Sequence, residues 1–526
     1  MFTSPYADVV IPDQSIFDYL FGDLTESDLD RVAVVDGVSG AEMSYRELVA
    51  QIEAIAGALT ARGLAPGDVV AVLCPNVPAF TSFFHAILRA GATVTTISSL
   101  YTPDEIVSQL ADAHAGWLIT VSPLLAGASD AAGRTGIDPQ RLIVLDGADG
   151  HPSLRDLLAQ GESAPDVHFD PATHVAVLPY SSGTTGKAKG VMLSHTNLVA
   201  NVAQCRDLIA VTADDRVLAL LPFFHIYGMT VLLNLALRQR ARLVTMPRFE
   251  LSEFLRIIQD HGCTYVFIAP PVAVALAKHP LVDEYDLSSV HTVLSGAAPL
   301  DGALGDAVAQ RLGVRMLQGY GMSELSPVSH VVPRDRIDIP THSVGVTIPN
   351  MQSKLIDAET GEQIEIPAEG VSRPGELLVR GPNVMLGYLG NKEATALTID
   401  ADRFLHTGDI ATVSAEGFVT IVDRLKELIK YKGYQIAPAE LEALLLSHPL
   451  VADAAVVGVR GDDGEEVPKA FVVAAGPGLT EDAVMTFVAE HLAPYKKVRR
   501  VEFVEAIPKS TSGKILRKDL RAREIA

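Results

Sequence analysis

The chain has 526 residues, more than one hydrophobic core usually organises, so we expect at least two domains. Its composition is globular, with 48% apolar and 20% charged residues. The formal net charge of −22 argues against a nucleic-acid-binding protein, which needs a basic surface. Small anionic ligands remain compatible with this charge, because lysine and arginine are concentrated locally at 424–432 and 496–518.

Three cysteines, Cys74, Cys205 and Cys263, are scattered without metal-ligand or disulfide spacing, which suits a reducing cytoplasm. Residues 1–13 carry acidic and proline residues where a signal peptide would be basic and then apolar. No apolar run is long enough to span a bilayer. We therefore expect a cytoplasmic protein, and a mean hydropathy of +0.25 leaves loose membrane association open.

Strands and helices are predicted to alternate from the start of the chain. Ser44 with Glu47, and Thr102 with Glu105, form capping boxes that open helices. Short apolar runs predict the strands between the helices. The predicted strands of this half lie at 31–36, 69–73, 93–97, 117–121, 141–145 and 174–178, and the predicted helices at 44–63, 79–90 and 102 onward.

The same alternation continues in the second half, with predicted strands at 216–221, 242–246, 264–268 and 290–294. Alternating strands and helices indicate βαβ units and a mostly parallel sheet. Residues 343–421 change to short strands and Gly/Pro turns, which predicts a small β-rich subdomain. A compact α+β unit follows, with helices at 439–447 and 481–492 and strands at 454–459 and 469–473. The fold class is therefore α/β, with a large N-terminal domain and a small C-terminal domain.

Residues 180–190 form the most informative stretch, because serine, threonine, glycine and lysine crowd together directly after a strand. Glycines allow close approach of the backbone, and free N–H groups, hydroxyls and lysines can cradle phosphate oxygens. A P-loop needs glycines five apart followed by Lys and Ser or Thr. Here the glycines are three apart and Ala188 follows Lys187, so the P-loop interpretation fails. A flexible linker is the bland alternative, which the two lysines disfavour.

Other stretches have both a bland and a functional interpretation. His225 follows a strand among aromatic residues and could be a structural histidine. Residues 295–299 are small and could be only a tight turn, although they would also let a flat ring lie against the backbone. Tyr320 stands between two glycines and suits stacking on a base, while Ser323 and Glu324 offer oxygens for phosphate or Mg²⁺. Asp409 could be a simple turn residue.

The C-terminal part holds two further basic stretches. Residues 423–435 could be a solvated linker and helix face, or a hinge followed by ligand contacts. Residues 508–515 end in Lys514 and by composition alone would be a flexible tail.

Taken in order, these motifs resemble those of the adenylate-forming enzymes, which comprise acyl-CoA synthetases, 4-coumarate–CoA ligases, firefly luciferase and the adenylation domains of peptide synthetases. The resemblance covers nearly the whole chain and is greatest to the 4-coumarate–CoA ligase and acyl-CoA synthetase branch. It departs from the family pattern at Ser323, where threonine is usual. The hydroxyl is kept, so we expect a small effect.

The resemblance implies roles for individual residues. Lys514, His225, Thr184 and Glu324 would be catalytic, and Thr184 and Glu324 would lie on the Mg²⁺ side of the site. The acyl group would contact Tyr227, Met229, Val231, Leu294, Ala297, Pro327 and Val328. CoA would contact Arg248, Lys432 and Gly433. ATP or AMP would contact Ser181, Ser182, Gly183, Thr184, Thr185, Gly186, Lys189, Gly296, Ala297, Ala298, Gln318, Gly319, Tyr320, Gly321, Ser323, Asp409, Arg424, Lys430, Gln435 and Lys514.

The resemblance also implies a domain plan. Residues 1–423 would bind the acid and ATP, 424–426 would be the hinge with Asp423 and Lys426 at its ends, and 427–526 would form a mobile C-terminal domain. Lys514 would serve the formation of an acyl-adenylate, and the region of Lys432 and Gly433 would serve its conversion to a thioester.

The expected activity is an ATP-dependent, Mg²⁺-requiring ligation of a hydrophobic carboxylic acid to CoA, with a hydroxycinnamate-type or fatty acid as substrate. An acyl-AMP ligase that loads a carrier-protein thiol is the alternative, and a luciferase-like oxygenase or a nucleotide-binding protein without turnover is disfavoured. An apolar pocket discriminates poorly among hydrophobic acids, so the sequence leaves the acid open. The oligomeric state, including a homodimer, is open as well.

Overall fold

A computed structural model describes residues 1–181, 188–431, 434–461, 466–510 and 513–523, and of Gln435 the backbone alone. In chain order its strands are β1 (Phe2–Thr3), β2 (Val32–Asp36), β3 (Glu42–Ser44), β4 (Val69–Leu73), β5 (Thr93–Thr96), β6 (Trp117–Thr120), β7 (Leu142–Val144), β8 (Val175–Val177), β9 (Tyr180–Ser181), β10 (Lys189–Ser194), β11 (Arg216–Ala219), β12 (Arg242–Thr245), β13 (Tyr265–Ile268), β14 (Thr292–Ser295), β15 (Arg315–Gly321), β16 (Val328–Val331), β17 (Val346–Thr347), β18 (Gln352–Ile356), β19 (Gln363–Ile364), β20 (Gly375–Arg380), β21 (Gly387–Tyr388), β22 (Leu405–Val413), β23 (Val419–Arg424), β24 (Ile429–Tyr431), β25 (Tyr434–Ile436), β26 (Val451–Arg460), β27 (Glu466–Ala474) and β28 (Arg500–Phe503).

The α-helices are α1 (Ile16–Phe21), α2 (Glu26–Leu29), α3 (Tyr45–Ala61), α4 (Pro78–Arg89), α5 (Pro103–Asp112), α6 (Leu125–Thr135), α7 (Leu154–Leu158), α8 (His195–Ile209), α9 (Leu235–Arg238), α10 (Leu251–His261), α11 (Pro270–Lys278), α12 (Gly302–Leu312), α13 (Lys392–Thr398), α14 (Pro438–Ser447), α15 (Glu481–His491) and α16 (Arg517–Ala522). A π-helix spans Tyr227–Asn234 and leads into α9.

Two large sheets form the body of the N-terminal domain. Within the described residues, one sheet has the order β21-β10-β8-β5-β4-β6-β7, with β9 beside β10, and its strands β4 to β8 are parallel. The other has the order β17-β16-β15-β14-β13-β11-β12-β2-β3 and is parallel from β15 to β2. The prediction of a mostly parallel α/β sheet is therefore confirmed for both sheets. The β-rich stretch forms a third, antiparallel sheet, β1-β18-β20-β22-β23, with β19 beside β18.

Local sequence signals explain where the helices begin. Ser44 accepts a hydrogen bond from the Glu47 amide, and Glu47 accepts one from the Ser44 amide at 2.8 Å, so the predicted capping box opens α3. Thr102 and Glu105 close the same box at α5. In both helices the side chains satisfy amide donors that the first turn would otherwise leave unpaired.

The C-terminal domain has its own core. Strands β26, β27 and β28 form a sheet against which α14 packs, and β24 and β25 form a separate two-stranded ribbon. Ile429, Ile436, Leu441, Val456 and Val472 are among the fully buried side chains of this core. A self-contained core is what allows a small domain to move as a unit. In the chain as described, no helix is both long and apolar enough to cross a membrane.

Candidate active site

A cleft opens at the carboxyl ends of the parallel strands β14 and β15. This edge is where open α/β sheets commonly bind ligands, because the strand ends splay into loops there. The lining residues come from six separate segments of the chain. They are Ile209, His225, Ile226, Tyr227, Val231, Leu294, Gly296, Ala297, Gly319, Tyr320, Gly321, Met322, Ser323, Pro327, Val328, Val331 and Lys514.

Lys514 reaches this cleft from the C-terminal domain and lines it together with His225. Burial, reinforced by the nearby Arg424 charge, lowers the pKa of Lys514 to about 8, and the carboxylates of Asp409 and Glu324 act in the opposite direction. Burial and the Lys514 charge lower the pKa of His225 to about 3. At neutral pH the site therefore holds a mostly protonated Lys514 and a neutral His225. The His225 imidazole can position a carboxylate by hydrogen bonding although it carries no charge.

The C-terminal domain contacts the N-terminal domain at both ends of α11, through the Lys514 loop at one end and α14 at the other. Gly513 has a φ of +80°, and a Cβ added to it would lie 3.2 Å from Cβ of Ala269, just before α11. At the other end of α11, Nζ of Lys278 donates a hydrogen bond of 2.9 Å to the carbonyl of Leu446 in α14. The structure therefore shows the arrangement of the two domains in which Lys514 is inside the cleft.

Tyr320, Asp409 and Arg424 form a linked group beside the cleft. The Tyr320 hydroxyl donates to Oδ2 of Asp409 at 2.5 Å, and Nε of Arg424 lies 3.3 Å from Oδ1 of the same carboxylate. Asp409 is 5% exposed, and this burial raises its pKa although Arg424, Tyr320 and Lys514 oppose the rise. The resemblance implied that Asp409 and Arg424 each contact the nucleotide, and the structure places them opposite each other on the paired strands β22 and β23.

One wall of the cleft depends on small residues after β14. A Cβ on Gly296 would lie 2.8 Å from Cε1 of Tyr227, so only glycine allows the tyrosine ring to pack there. The next residue, Ala297, has a φ of +72°, a conformation that residues other than glycine seldom adopt. Such strain is often found where a ligand-binding turn is held by its surroundings.

The inner end of the cleft is apolar. Ile209, Val231, Leu294, Val328 and Val331 line it, and each is almost fully buried apart from the cleft itself. The Tyr227 hydroxyl is directed to the Leu294 carbonyl at 3.4 Å. A surface of this kind binds hydrocarbon or an aromatic ring and leaves an ammonium group without a partner.

Met229 differs in its position from the other predicted acyl-pocket residues, all of which line the cleft. It is fully buried in the main core and does not line the cleft. It shares the π-helix with Tyr227 and Val231, which do line the cleft, and the sequence offers no means of telling which residues of a uniformly apolar run face a cavity.

Glu324 lies beside the cleft, on the short 3₁₀ segment Ser323–Leu325, and is 3% exposed. Its Oε1 accepts a hydrogen bond of 2.8 Å from the Tyr388 hydroxyl, and within the described residues the carboxylate has no ion-pair partner. A buried carboxylate without a cation fits the expected Mg²⁺, which typically takes one or two protein carboxylates and completes its shell with waters and substrate phosphates. The described residues contain no cluster of three or more His, Cys, Asp or Glu side chains that could hold a metal ion by themselves.

The glycine-rich loop is framed by paired strands. Ser181 on β9 pairs with Lys189 on β10, and Tyr180 pairs with Gly190, so the loop joins two antiparallel strands at a sheet edge. The predicted ligand-binding residues Ser182, Gly183, Thr184, Thr185 and Gly186 lie outside the described residues.

Gln318 and Ala298 are among the predicted nucleotide residues that do not line the cleft. Gln318 is buried, and its side chain exchanges hydrogen bonds with the backbone of Leu300 at 3.1 and 3.2 Å, so it holds the loop after β14. Ala298 is half-buried beside that loop.

The predicted CoA residues Arg248, Lys432 and Gly433 come from both domains, and the predicted nucleotide residues Lys430 and Gln435 lie close to the last two in the chain. Arg248 is exposed between β12 and α10, away from the cleft lining. Lys430 is exposed on the C-terminal ribbon, where its amide donates to Oε2 of Glu466 at 2.8 Å, so it is not at the cleft in this arrangement. Lys432 and Gly433 lie outside the described residues, as does the side chain of Gln435.

At the predicted hinge, Asp423 is 5% exposed and its carboxylate accepts from the amides of Arg424 at 2.7 Å and Ala439 at 2.9 Å. Ala439 is in the first turn of α14, so a side chain of β23 caps a helix of the C-terminal domain. Lys426 follows in the turn between β23 and β24.

The sequence analysis missed Ile209, Ile226, Met322 and Val331 of the lining, and Tyr388 beside Glu324. Ile226 and Met322 stood inside motifs already singled out, so adjacency could have found them. Ile209 ends a long helix and Val331 ends a buried strand, and neither carries a local signal.

Comparison with known proteins agrees with this geometry. A sequence model of the family described as AMP-binding enzyme matches residues 24–389, and a model of the AMP-binding enzyme C-terminal domain matches residues 440–514. The chain is 42% identical to 4-coumarate–CoA ligase 5 of Oryza sativa subsp. japonica, over 99% of this chain and 97% of the other. ATP-bound MatB from Rhodopseudomonas palustris is 30% identical with a TM-score of 0.87, covering 97% of this chain and 98% of that one. The anthranilate CoA ligase AuaEII in complex with anthranoyl-AMP is 26% identical with a TM-score of 0.88, over 98% of both chains.

Proposed function

Since the chain belongs to the AMP-binding enzyme family and is an AMP-forming acid–CoA ligase, we propose that it activates a hydrophobic carboxylic acid, hydroxycinnamate-like or aliphatic, in the cleft described above. The observation that carries this proposal is that Lys514 lines the same cleft as the apolar residues and as Tyr320, whose hydroxyl is bonded to Asp409. A carboxylate bound there would meet the lysine at the junction of the two halves.

In the first step, a carboxylate oxygen attacks the α-phosphorus of ATP, and the bond from that phosphorus to pyrophosphate breaks. The product is an acyl-adenylate, a mixed anhydride with AMP as a good leaving group. Negative charge accumulates at the α-phosphate, and the Lys514 ammonium offsets it from a fixed position. His225, neutral at working pH, would orient the acid without repelling Lys514.

On the nucleotide side, Tyr320 would stack on the base, and Asp409 with Arg424 would accept and position the ribose hydroxyls. Ser181, Lys189 and the loop between them would contact the phosphates. Glu324, with Thr184 from that loop, would hold Mg²⁺, which when bound neutralises charge on the phosphates.

In the second step, the sulfur of CoA attacks the acyl carbon, the bond to AMP breaks, and the thiol proton leaves. Lys514 then occupies the space in which a thiol must enter, so we propose that the C-terminal domain rotates about 424–426 between the steps. Residues 1–423 and 427–526 would be the two moving parts. Rotation would bring Lys430, Lys432, Gly433 and Gln435 to the cleft, with Arg248 on the CoA phosphate side.

The substrate class follows from the lining. Ile209, Val231, Leu294, Val328 and Val331 offer hydrocarbon surface, and the described part of the cleft places no carboxylate at its inner end to receive an ammonium group. Amino acids are therefore disfavoured, because a buried, unpaired ammonium is costly.

We also propose a cytoplasmic location, because Cys74, Cys205 and Cys263 are buried free thiols that suit a reducing compartment. We further propose that the protein can form a homodimer, which light scattering tests by measuring its molar mass in solution.

The test is to measure pyrophosphate release and thioester formation over two panels of acids, straight-chain fatty acids and hydroxycinnamates, with Mg-ATP and CoA. Turnover of either panel with CoA supports the proposal, and the preferred panel identifies the acid class. Pyrophosphate release without acyl-CoA would indicate a carrier-protein acceptor, tested with a phosphopantetheinylated carrier. Turnover of amino acids in preference to both panels would overturn the assignment of a hydrophobic acid.

A further inference from the structure

Tyr388 contacts both sides of the phosphate end of the site, although no motif of the sequence analysis included it. Its hydroxyl donates to Oε1 of Glu324 at 2.8 Å. The ammonium nitrogen of Lys189 lies 4.8 Å from the centroid of its ring, within the range of a cation–π contact. One side chain therefore touches the carboxylate expected on the metal side and the lysine that ends the glycine-rich loop.

The backbone around Tyr388 is fixed to the same two elements. The Leu386 amide donates to the Met192 carbonyl and the Leu389 amide to the Gly190 carbonyl, each at 2.9 Å, which pairs β21 with β10 directly after the loop. The Met385 amide donates to the Glu324 carbonyl at 2.9 Å. Residues 385–389 thus hold the loop strand and the Glu324 segment at a fixed separation.

The chemistry at the two contacts differs. Burial, together with the charge of Glu324 and the hydrogen bond to it, raises the pKa of Tyr388, so the phenol remains protonated and donates. By occupying one lone-pair direction of Oε1, the hydroxyl fixes the carboxylate and leaves its other oxygen for a cation. The ring attracts the Lys189 ammonium with a neutral, fixed surface that does not compete for the charge as a carboxylate would.

We propose that Tyr388 is a positioning residue that aligns Glu324 with the end of the glycine-rich loop, so that the Mg²⁺-binding oxygen and the phosphate donors face the same nucleotide. Its hydroxyl serves the metal side and its ring serves the phosphate side. This inference rests on the proposed function of the site, because it presumes that Mg-ATP binds there.

Two substitutions separate the two roles. Tyr388→Phe removes the hydroxyl and keeps the ring, whereas Tyr388→Leu removes both. Titration calorimetry of ATP binding to the full-length protein, with Mg²⁺ and with EDTA, reads binding without turnover. Tyr388→Phe is expected to weaken the Mg²⁺-dependent part of ATP affinity by about 10- to 100-fold, the usual cost of losing a partner of a metal ligand, and to leave affinity in EDTA unchanged. Tyr388→Leu is expected to weaken binding in both conditions.

A double-mutant cycle tests whether Tyr388 acts through Glu324. Against a Glu324→Gln background, which still accepts the hydrogen bond but lacks the charge, Tyr388→Phe should change the Mg²⁺-dependent ATP affinity by less than about twofold. Tyr45→Phe is the matched control, since its buried hydroxyl donates to the Ala241 carbonyl at 2.9 Å and no residue of α3 lines the cleft. Tyr45→Phe therefore measures how ATP affinity changes when a buried tyrosine hydroxyl away from the cleft is lost.

The outcomes are distinguishable. If ATP affinity depends on Mg²⁺ equally in Tyr388→Phe and in the wild type, Tyr388 does not position Glu324 for the metal. The same loss in the wild-type and Glu324→Gln backgrounds would overturn its action through Glu324. Failure of the wild-type protein to bind ATP would instead overturn the proposed function of the site.

Discussion

The hydroxyl of Tyr320 donates a hydrogen bond of 2.5 Å to Oδ2 of Asp409, which joins the end of β15 to the middle of β22. The two residues come from different sheets, so this bond connects the parallel sheet that shapes the cleft to the antiparallel sheet that leads into the hinge. Arg424, on the strand paired with Asp409, completes the group at 3.3 Å.

Asp409→Asn should weaken ATP binding by roughly tenfold or more, because hydrogen bonds from ribose hydroxyls to a carboxylate are worth about 1.5–3 kcal/mol. Calorimetric titration with ATP, 2′-deoxy-ATP and 3′-deoxy-ATP measures this loss of affinity. The penalty should shrink with the deoxy analogue that lacks the hydroxyl Asp409 accepts. An equal penalty for ATP and both analogues would mean that Asp409 supports the fold and does not contact the ribose.

Lys514→Ala should lower the rate of pyrophosphate release by about 10²- to 10³-fold, since it removes positioned positive charge from the developing negative charge. Thioester formation from chemically supplied acyl-adenylate and CoA should remain. Lys509→Ala is the matched control, because Lys509 lies in the same loop but is paired with Asp453 at 2.6 Å and does not line the cleft. Equal loss of both half-reactions in Lys514→Ala would contradict the division of labour.

The adenylation rate should depend on pH through Lys514. Its pKa is lowered to about 8, so the required ammonium is present below that pH and is lost as pH rises through it. The kcat/KM of the free enzyme for ATP-dependent pyrophosphate release should therefore fall above pH ~8, and Lys514→Arg should lose this limb because guanidinium does not titrate there. A falling limb of the same midpoint in Lys514→Arg would assign the titration to another group.

His225 gives a second pH expectation. Its pKa of about 3 means that it is neutral throughout the working range, so no activity change near the ordinary histidine pKa should come from it. The ring proton resonances of His225 in a histidine-labelled sample should stay constant between mildly acidic and neutral pH. A shift with a midpoint near 6 would show that the imidazole is solvated or paired in solution.

Val231→Phe should exclude large acids. Val231 lines the inner apolar end of the cleft and is 2% exposed, so a phenyl ring there occupies substrate space. We expect kcat/KM to fall about 10-fold or more for the longest accepted acid and to change little for the shortest, since overpacking costs about 1–3 kcal/mol. Uniform loss over the whole panel would indicate a damaged fold, which thermal unfolding would reveal.

Lys278→Met should shift the balance between domain arrangements. Lys278 donates to the Leu446 carbonyl at the end of α14 in the arrangement that seats Lys514 in the cleft, and we expect domain rotation to break this bond. A cation at a helix C-terminus is worth about 0.3–1 kcal/mol. Adenylation should slow about two- to fivefold, with thioester formation from supplied acyl-adenylate unchanged. Lys392→Met, on the exposed helix α13, is the control. A slower thioester step in Lys278→Met would contradict the assignment.

The sequence by itself determined the elements and most of the polar chemistry. Capping boxes at Ser44 and Thr102 and the strands at 69–73 and 93–97 were readable because their signals are local. Lys514, His225, Glu324 and Asp409 were found because polar residues in short motifs stand out against an apolar chain, and the resemblance to a family assigned their roles.

Only the tertiary structure decided which apolar residues form the cleft and how the polar ones are supported. Met229 and Val231 look alike in sequence, yet of the two only Val231 lines the cavity, because that choice depends on how the π-helix packs against α8 and β11. Tyr388 lies sixty-four residues from Glu324, and only the pairing of β21 with β10 brings its hydroxyl there. Contacts between distant segments are set by packing of the whole chain, and the sequence carries no local signal for them.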